Sequence, residues 1–119
     1  MNERTSKGKG DVGELLALNY LQNLGYKILQ RNYRYDRGEI DIIAEDHREL
    51  VFVEVKSRRS RSYGTPEDAV TPQKESYIKR TAEGYLLEHN FEGTPCRFDL
   101  IAIEWTGHEH EIRHIRKVF

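Results

Sequence analysis

The chain has 119 residues, 33% charged and 37% hydrophobic, with a formal net charge of −1. That length forms one core without metal or disulfide staples, and the composition excludes a disordered chain. No apolar run approaches the ~20 residues that span a bilayer, Met1–Lys7 holds no apolar segment of a secretory signal, and the lone Cys96 cannot form an internal disulfide; we expect a cytoplasmic single domain over 1–119, with residues 1–7 mobile.

A first helix is predicted from near Asp11 to the residues before Gly25, a C-terminal stop. Asp11 and Glu14 have capping-box spacing, which would make Glu14 a cap residue. Glu14 also heads an apolar stripe with Leu18 and Leu21 at i, i+4 and i+7, which would turn its carboxylate toward a sheet. Both readings stay open. Tyr26–Arg34 reads as a first strand, turning through Tyr35-Asp36-Arg37-Gly38 into a second over Glu39–Glu45. Gly38 there serves a positive φ or a close backbone approach. Arg31 and Arg34 can meet phosphate, and the tyrosines Tyr33 and Tyr35 are read as packing residues before base contacts.

Ile40–Ala44 and Leu50–Val55 are β-branched and apolar, and the polar Glu45–Glu49 between them predicts a hairpin with a five-residue loop. Glu54 and Lys56, two apart, share a face. The hairpin brings Asp41 opposite residues 53–54. Two carboxylates and a lysine at one end of a sheet suit a hard divalent cation and a phosphodiester. Mg²⁺ takes one or two protein carboxylates and keeps water and phosphate for its other positions. Asp41 and Glu54 would supply these, with the Val55 carbonyl as a further ligand, while Lys56 orients water and offsets transition-state charge. A row of solvated cross-strand pairs is the bland alternative. It leaves unexplained why the charges sit in Leu50-Val51-Phe52-Val53, a strand apolar on both faces.

Lys56, Arg58, Arg59 and Arg61 follow that strand as a basic loop able to attract phosphate, or simply a solvated one. After a turn at Tyr63-Gly64-Thr65-Pro66, Thr71 and Pro72 open a second helix that runs toward His89 with Ile78, Ala82, Tyr85 and Leu86 inward. Gln73 and Lys74 lie in its first turn, either as helix surface or as phosphate contacts at the helix N-terminus. Arg97–Glu104 is a buried strand, parallel to Leu50–Lys56 across the helix, with an Arg97–Asp99 ion pair expected inside. A turn at Trp105–His108 leads to a last strand ending at Phe119. His108, His110 and His114, with Glu109 and Glu111 interleaved and no cysteine nearby, are read as part of a hairpin turn before metal ligands.

Three segments, Gly10-Asp11-Val12-Gly13-Glu14, Gly38-Glu39-Ile40-Asp41 and Phe52-Val53-Glu54-Val55-Lys56, resemble the signature of the YraN family, with further likeness at Arg31-Asn32-Tyr33, Thr71-Pro72-Gln73-Lys74 and Arg97-Phe98-Asp99. These small bacterial proteins are similar to restriction-endonuclease-like PD-(D/E)xK nucleases, and especially to archaeal Holliday-junction resolvases. The resemblance implies an α/β fold, a mixed sheet with flanking helices in the order α-β-β-β-α-β-β. It implies a nuclease triad of Asp41, Glu54 and Lys56, with Glu14 matching a helical glutamate that completes many such sites; Ile40 stands where proline often precedes the aspartate. It further implies Mg²⁺ or Mn²⁺ as cofactor, branched or junction DNA as substrate, and a homodimer. Arg58, Arg59, Arg61, Arg31, Gln73 and Lys74 would hold the nucleic acid. The rival reading is a module of the same fold that binds nucleic acid or protein without catalysis.

Overall fold

The computed structural model describes residues 2–59 and 70–119, with side chains from Val12 onward; Arg61 and the turn expected at 63–66 lie outside them. Along the chain run α1 (Asn2–Asn23), β1 (Lys27–Tyr35), β2 (Gly38–Asp46), β3 (Glu49–Arg58), α2 (Pro72–Glu88), β4 (Cys96–Thr106) and β5 (Glu109–Ile115). The order α-β-β-β-α-β-β is the expected one. The strands form one mixed sheet, β1-β2-β3-β4-β5, antiparallel throughout except for the parallel β3–β4 pair that α2 connects. This is compatible with a nuclease-like α/β fold.

Three local expectations are corrected. The first helix starts at Asn2, not near Asp11; no proline interrupts the segment, and its glycines only weaken a helix. Asp11 therefore lies inside the helix and is not its cap. The β2–β3 loop is two residues, His47 and Arg48, with positive φ of 50° and 73°. That is the type I′ conformation, whose twist matches the flanking strands, so Glu45, Asp46 and Glu49 join the ladder. The last strand stops at Ile115 because the chain folds back: Val118 donates its N–H to the Phe98 carbonyl at 2.8 Å, and Phe119 stacks on Phe98.

Each helix covers one face of the sheet. Ala17 and Leu21 of α1 pack on Ile42, Val51, Val53, Ile101 and Ile103; Ile78, Ala82 and Tyr85 of α2 pack on Ile40, Ile43, Leu50 and Phe52. Each fully buried aliphatic or aromatic side chain of these layers contributes about 1.5–3 kcal/mol. Ile40 and Ile42, two apart, belong to opposite layers, which a regular strand forbids. The break is shared by β1, where Asn32 takes a φ of 52°. Arg31, paired with Ile42, reaches Glu14 on α1, whereas Tyr33, paired with Ile40, packs on Tyr85 of α2. Asp41 sits at this exchange of faces.

A buried polar network ties the far ends of the chain together. Arg97 donates from Nε to Asp99 at 3.1 Å, from Nη1 to Glu49 at 2.9 Å and Asp46 at 3.2 Å, and from Nη2 to the Tyr26 hydroxyl at 2.5 Å. Asp99, 1% exposed, also meets His114 Nε2 at 2.7 Å and accepts from the Lys117 backbone N–H. Burial works against the Asp99 charge, but the bonds from His114 and Arg97 outweigh it and hold the carboxyl below its ordinary range. The expected Arg97–Asp99 pair is thus one edge of a larger cluster, and His114 belongs to it.

Candidate active site

Two notches seat α2 beside the β1–β2 hairpin. A Cβ on Gly38 would lie 1.8 Å from the Thr81 hydroxyl, and one on Gly84 would lie 2.3 Å from the Tyr35 ring. Gly38 is therefore needed for close approach; its φ is not in the positive region. Thr71 caps α2, accepting from the Lys74 N–H at 3.2 Å, and Pro72 fills the first turn. The helix N-terminus so positioned faces the ends of β2 and β3. Between them opens a cleft of about 580 Å³, lined by Gly38, Glu39, Asp41, Glu54, Val55 and Lys56 from the sheet and hairpin, by Arg37 of the turn, and by Thr71, Gln73, Lys74, Tyr77 and Ile78 from the helix side.

The β2–β3 register ends at Ile42↔Val53, one step short of Asp41 and Glu54, which therefore stand opposite each other. Past that point the Asp41 carboxylate replaces a ladder carbonyl: its Oδ2 accepts the Val55 N–H at 2.8 Å. Burial, then repulsion from Glu54, push the Asp41 carboxyl up to about 7, with Glu14 and Glu39 adding to the push and the Val55 bond opposing it. Glu54, its side chain 12% exposed, meets Lys74 Nζ at 2.6 Å and Lys56 Nζ at 3.6 Å. Burial and the adjacent Lys74 lower the Lys56 ammonium, although Glu54 supports its charge. For Lys74 the balance is reversed: burial disfavours the charge, but the bond to Glu54 prevails and raises it.

Asp41, Glu54, Val55, Lys56, Gln73 and Lys74 are thus brought together. Glu14 and Arg31 do not line the cleft; they lie 3.6 Å apart, Glu14 Oε1 to Arg31 Nη2, with Glu14 close enough to act on Asp41 electrostatically. Its neighbour Gly13 rests on Ser57 of β3, where an added Cβ would meet the serine Cβ at 3.3 Å. Arg59 lies elsewhere, bonded to the Gly107 carbonyl and set over the Trp105 ring, and Arg58 pairs with Glu104 in the β3–β4 register; neither lines the cleft. Arg37 and Tyr77 do line it and were not singled out from the sequence. Tyr77 had a signal: it follows Gln73 by four residues, so both share one helical face.

The donor set fits a hard divalent cation. Among the described residues no three His, Cys, Asp or Glu side chains form an all-protein cage, but Mg²⁺ needs only one or two carboxylates. Asp41 and Glu54 supply two, and Val55, with a backbone carbonyl to offer, lines the same cleft. The anionic strain recorded in the raised Asp41 carboxyl is of the kind a bound cation relieves. Among the described residues that line the cleft there is no histidine or cysteine, the donors that select softer metals. No helix among the described residues is long and apolar enough to cross a membrane.

Comparison with known proteins gives a match over residues 13–103 to a family described as uncharacterised protein family UPF0102. A UPF0102 protein of Dehalococcoides mccartyi is 40% identical over 110 residues, covering 92% of this chain and 91% of its own. Relatives of the same description from Geotalea daltonii and Symbiobacterium thermophilum are 45% and 48% identical, over 96% and 83% of this chain and 91% and 84% of theirs.

Proposed function

The chain belongs to the uncharacterised protein family UPF0102, and we propose that it is a Mg²⁺- or Mn²⁺-dependent endonuclease that hydrolyses DNA phosphodiesters, branched or junction DNA among them. The observation that carries this reading is the convergence of Asp41, Glu54 and Lys56 in one cleft, with the Asp41 carboxyl pushed up to about 7. Such perturbed groups gather where chemistry is done.

Asp41, Glu54 and the Val55 carbonyl would hold the ion, which when bound supplies Lewis acidity and an activated water. Lys56, on the same face of β3 as Glu54, orients that water and offsets charge that builds on the phosphoryl oxygens. Lys74 and Gln73 sit at an amide-rich helix N-terminus, a setting that favours phosphate. As phosphate arrives, Lys74 exchanges its bond to Glu54 for one to substrate. Glu14 adds negative charge near Asp41. Acting in the cytoplasm as a homodimer, the protein would present two such clefts to a symmetric junction.

The test is incubation of the purified protein with single-stranded, duplex, flap and four-way-junction DNA in Mg²⁺, Mn²⁺ or EDTA, beside Lys56→Ala. We expect metal-dependent cutting that the variant loses. A folded protein that cuts none of them is no nuclease. The 2.6 Å contact between Lys74 and Glu54, which already neutralises one carboxylate, would then favour the second reading, a binding module without catalysis.

A further inference from the structure

A second groove adjoins the cleft. It has a volume of about 330 Å³ and is bordered by Tyr35, Asp36, Arg37, Tyr77 and Arg80. Arg37, Gly38 and Tyr77 line both cavities, so the two form one continuous path from the Asp41–Glu54 pair over the first turns of α2.

Two tyrosines here differ from the others of the α2 layer. Tyr33 and Tyr85 are 4% and 3% exposed, and the Tyr33 hydroxyl is used, donating to Glu88 at 2.5 Å. Tyr35 and Tyr77 remain 36% and 44% exposed. Tyr35 is held with its ring against Gly84, so little entropy remains to be lost when something lies on it. Arg37 and Arg80 are exposed, and neither has an ion-pair partner among the described residues. Among the described residues that border the groove, the one carboxylate facing these two guanidiniums is that of Asp36.

Arginines that meet phosphate, alternating with aromatic faces that meet bases, are the means by which proteins hold single strands. Bases in continuous duplex are stacked on one another and have no face to offer. We propose that this groove binds a single-stranded arm beside the scissile phosphate. A base stacks on Tyr77 and the Tyr35 platform, and the flanking phosphates rest on Arg37 and Arg80. The substrate class of the site is then DNA with an unpaired strand next to the cut, not uninterrupted duplex. This rests on the nuclease reading for the position of the cut, and not for the binding itself.

The test uses the wild-type protein in EDTA with a flapped duplex carrying 2-aminopurine at the first unpaired position, and a blunt duplex of equal length as reference. The flap is expected to bind roughly tenfold tighter, the range of one base–aromatic stack, with a change in 2-aminopurine fluorescence. Tyr77→Leu, at an exposed position, removes both the preference and the fluorescence change, and Arg80→Ala lowers the salt dependence by about one phosphate contact. Equal affinity for flap and blunt duplex overturns the proposal, as does a fluorescence change that survives Tyr77→Leu and Tyr35→Leu. Flap binding of this kind without cutting in Mg²⁺ or Mn²⁺ keeps the groove and removes the nuclease. Equal cutting of flap and blunt duplex does the reverse.

Discussion

Replacing Asp41 by asparagine should stabilise the protein at neutral to alkaline pH. The Asp41 carboxyl is raised from 3.8 to about 7 by burial first and by Glu54 next. A raised carboxyl means that the native state holds a proton the unfolded chain has released. Stability from this group is therefore full below the unfolded value and is lost as the pH climbs from about 4 to 7. At about 1.4 kcal/mol for each pH unit, the loss amounts to about 4 kcal/mol, or about 2 where water still screens this partly exposed group. Asparagine keeps an acceptor for the Val55 N–H and carries no charge, so its stability lacks that fall. In EDTA, the advantage of Asp41→Asn over wild type should grow by about 2–4 kcal/mol between pH 4 and pH 8. Urea unfolding followed by the fluorescence of Trp105, the one tryptophan, measures it at both pH values. A gap that stays constant, or a variant less stable at pH 8, would refute the strained carboxylate pair. Saturating Mg²⁺ should narrow the gap by stabilising wild type alone.

Three other changes probe the supports of the cleft. Lys74→Met removes the 2.6 Å partner of Glu54 and leaves Lys56 at 3.6 Å; it should cost about 1 kcal/mol in urea unfolding and tighten Mn²⁺ binding, read by electron paramagnetic resonance. Gly38→Ala puts a methyl 1.8 Å from the Thr81 hydroxyl and should destabilise by about 1–3 kcal/mol, partly recovered when Thr81→Ala is added. Asp99→Ala leaves Arg97 and His114 buried without their shared carboxylate and should cost about 3–5 kcal/mol by thermal unfolding. Because the Asp99 carboxyl is lowered, the wild type should lose this contribution as acid drives the pH below the ordinary carboxylate range, and the variant should be less acid-sensitive.

The element order and the Asp41–Glu54–Lys56 grouping were legible because both follow from side-chain periodicity, and periodicity is local. The hairpin loop was read three residues too long: polarity marks Glu45–Glu49 as a loop, but only the positive φ of His47 and Arg48 tells which residues turn. The exchange of faces at Asn32 and Asp41 was invisible, since strand reasoning assumes regular alternation along the whole strand. Lys74 was noticed for its place at a helix end, whereas its contact with Glu54 depends on how α2 is seated at Gly38 and Gly84. His114 looked like part of a hairpin turn among glutamates. Its carboxylate partner, fifteen positions away on the neighbouring strand, is set by the β4–β5 register, which no single segment encodes.

The Arg97 cluster has a consequence for how the molecule assembles. Its members come from the residue just before β1, both sides of the β2–β3 turn, the head of β4, β5 and the chain end. Any intermediate that has closed the sheet around Arg97 without the last strand would hold an arginine and an aspartate incompletely bonded in a dry interior, a costly state. Partly folded forms are thereby disfavoured, and the domain should fold in one cooperative transition. The cleft, at the opposite end of β3, is then either complete or absent, and a chain cut short before β5 would lose it although none of its lining residues had been removed.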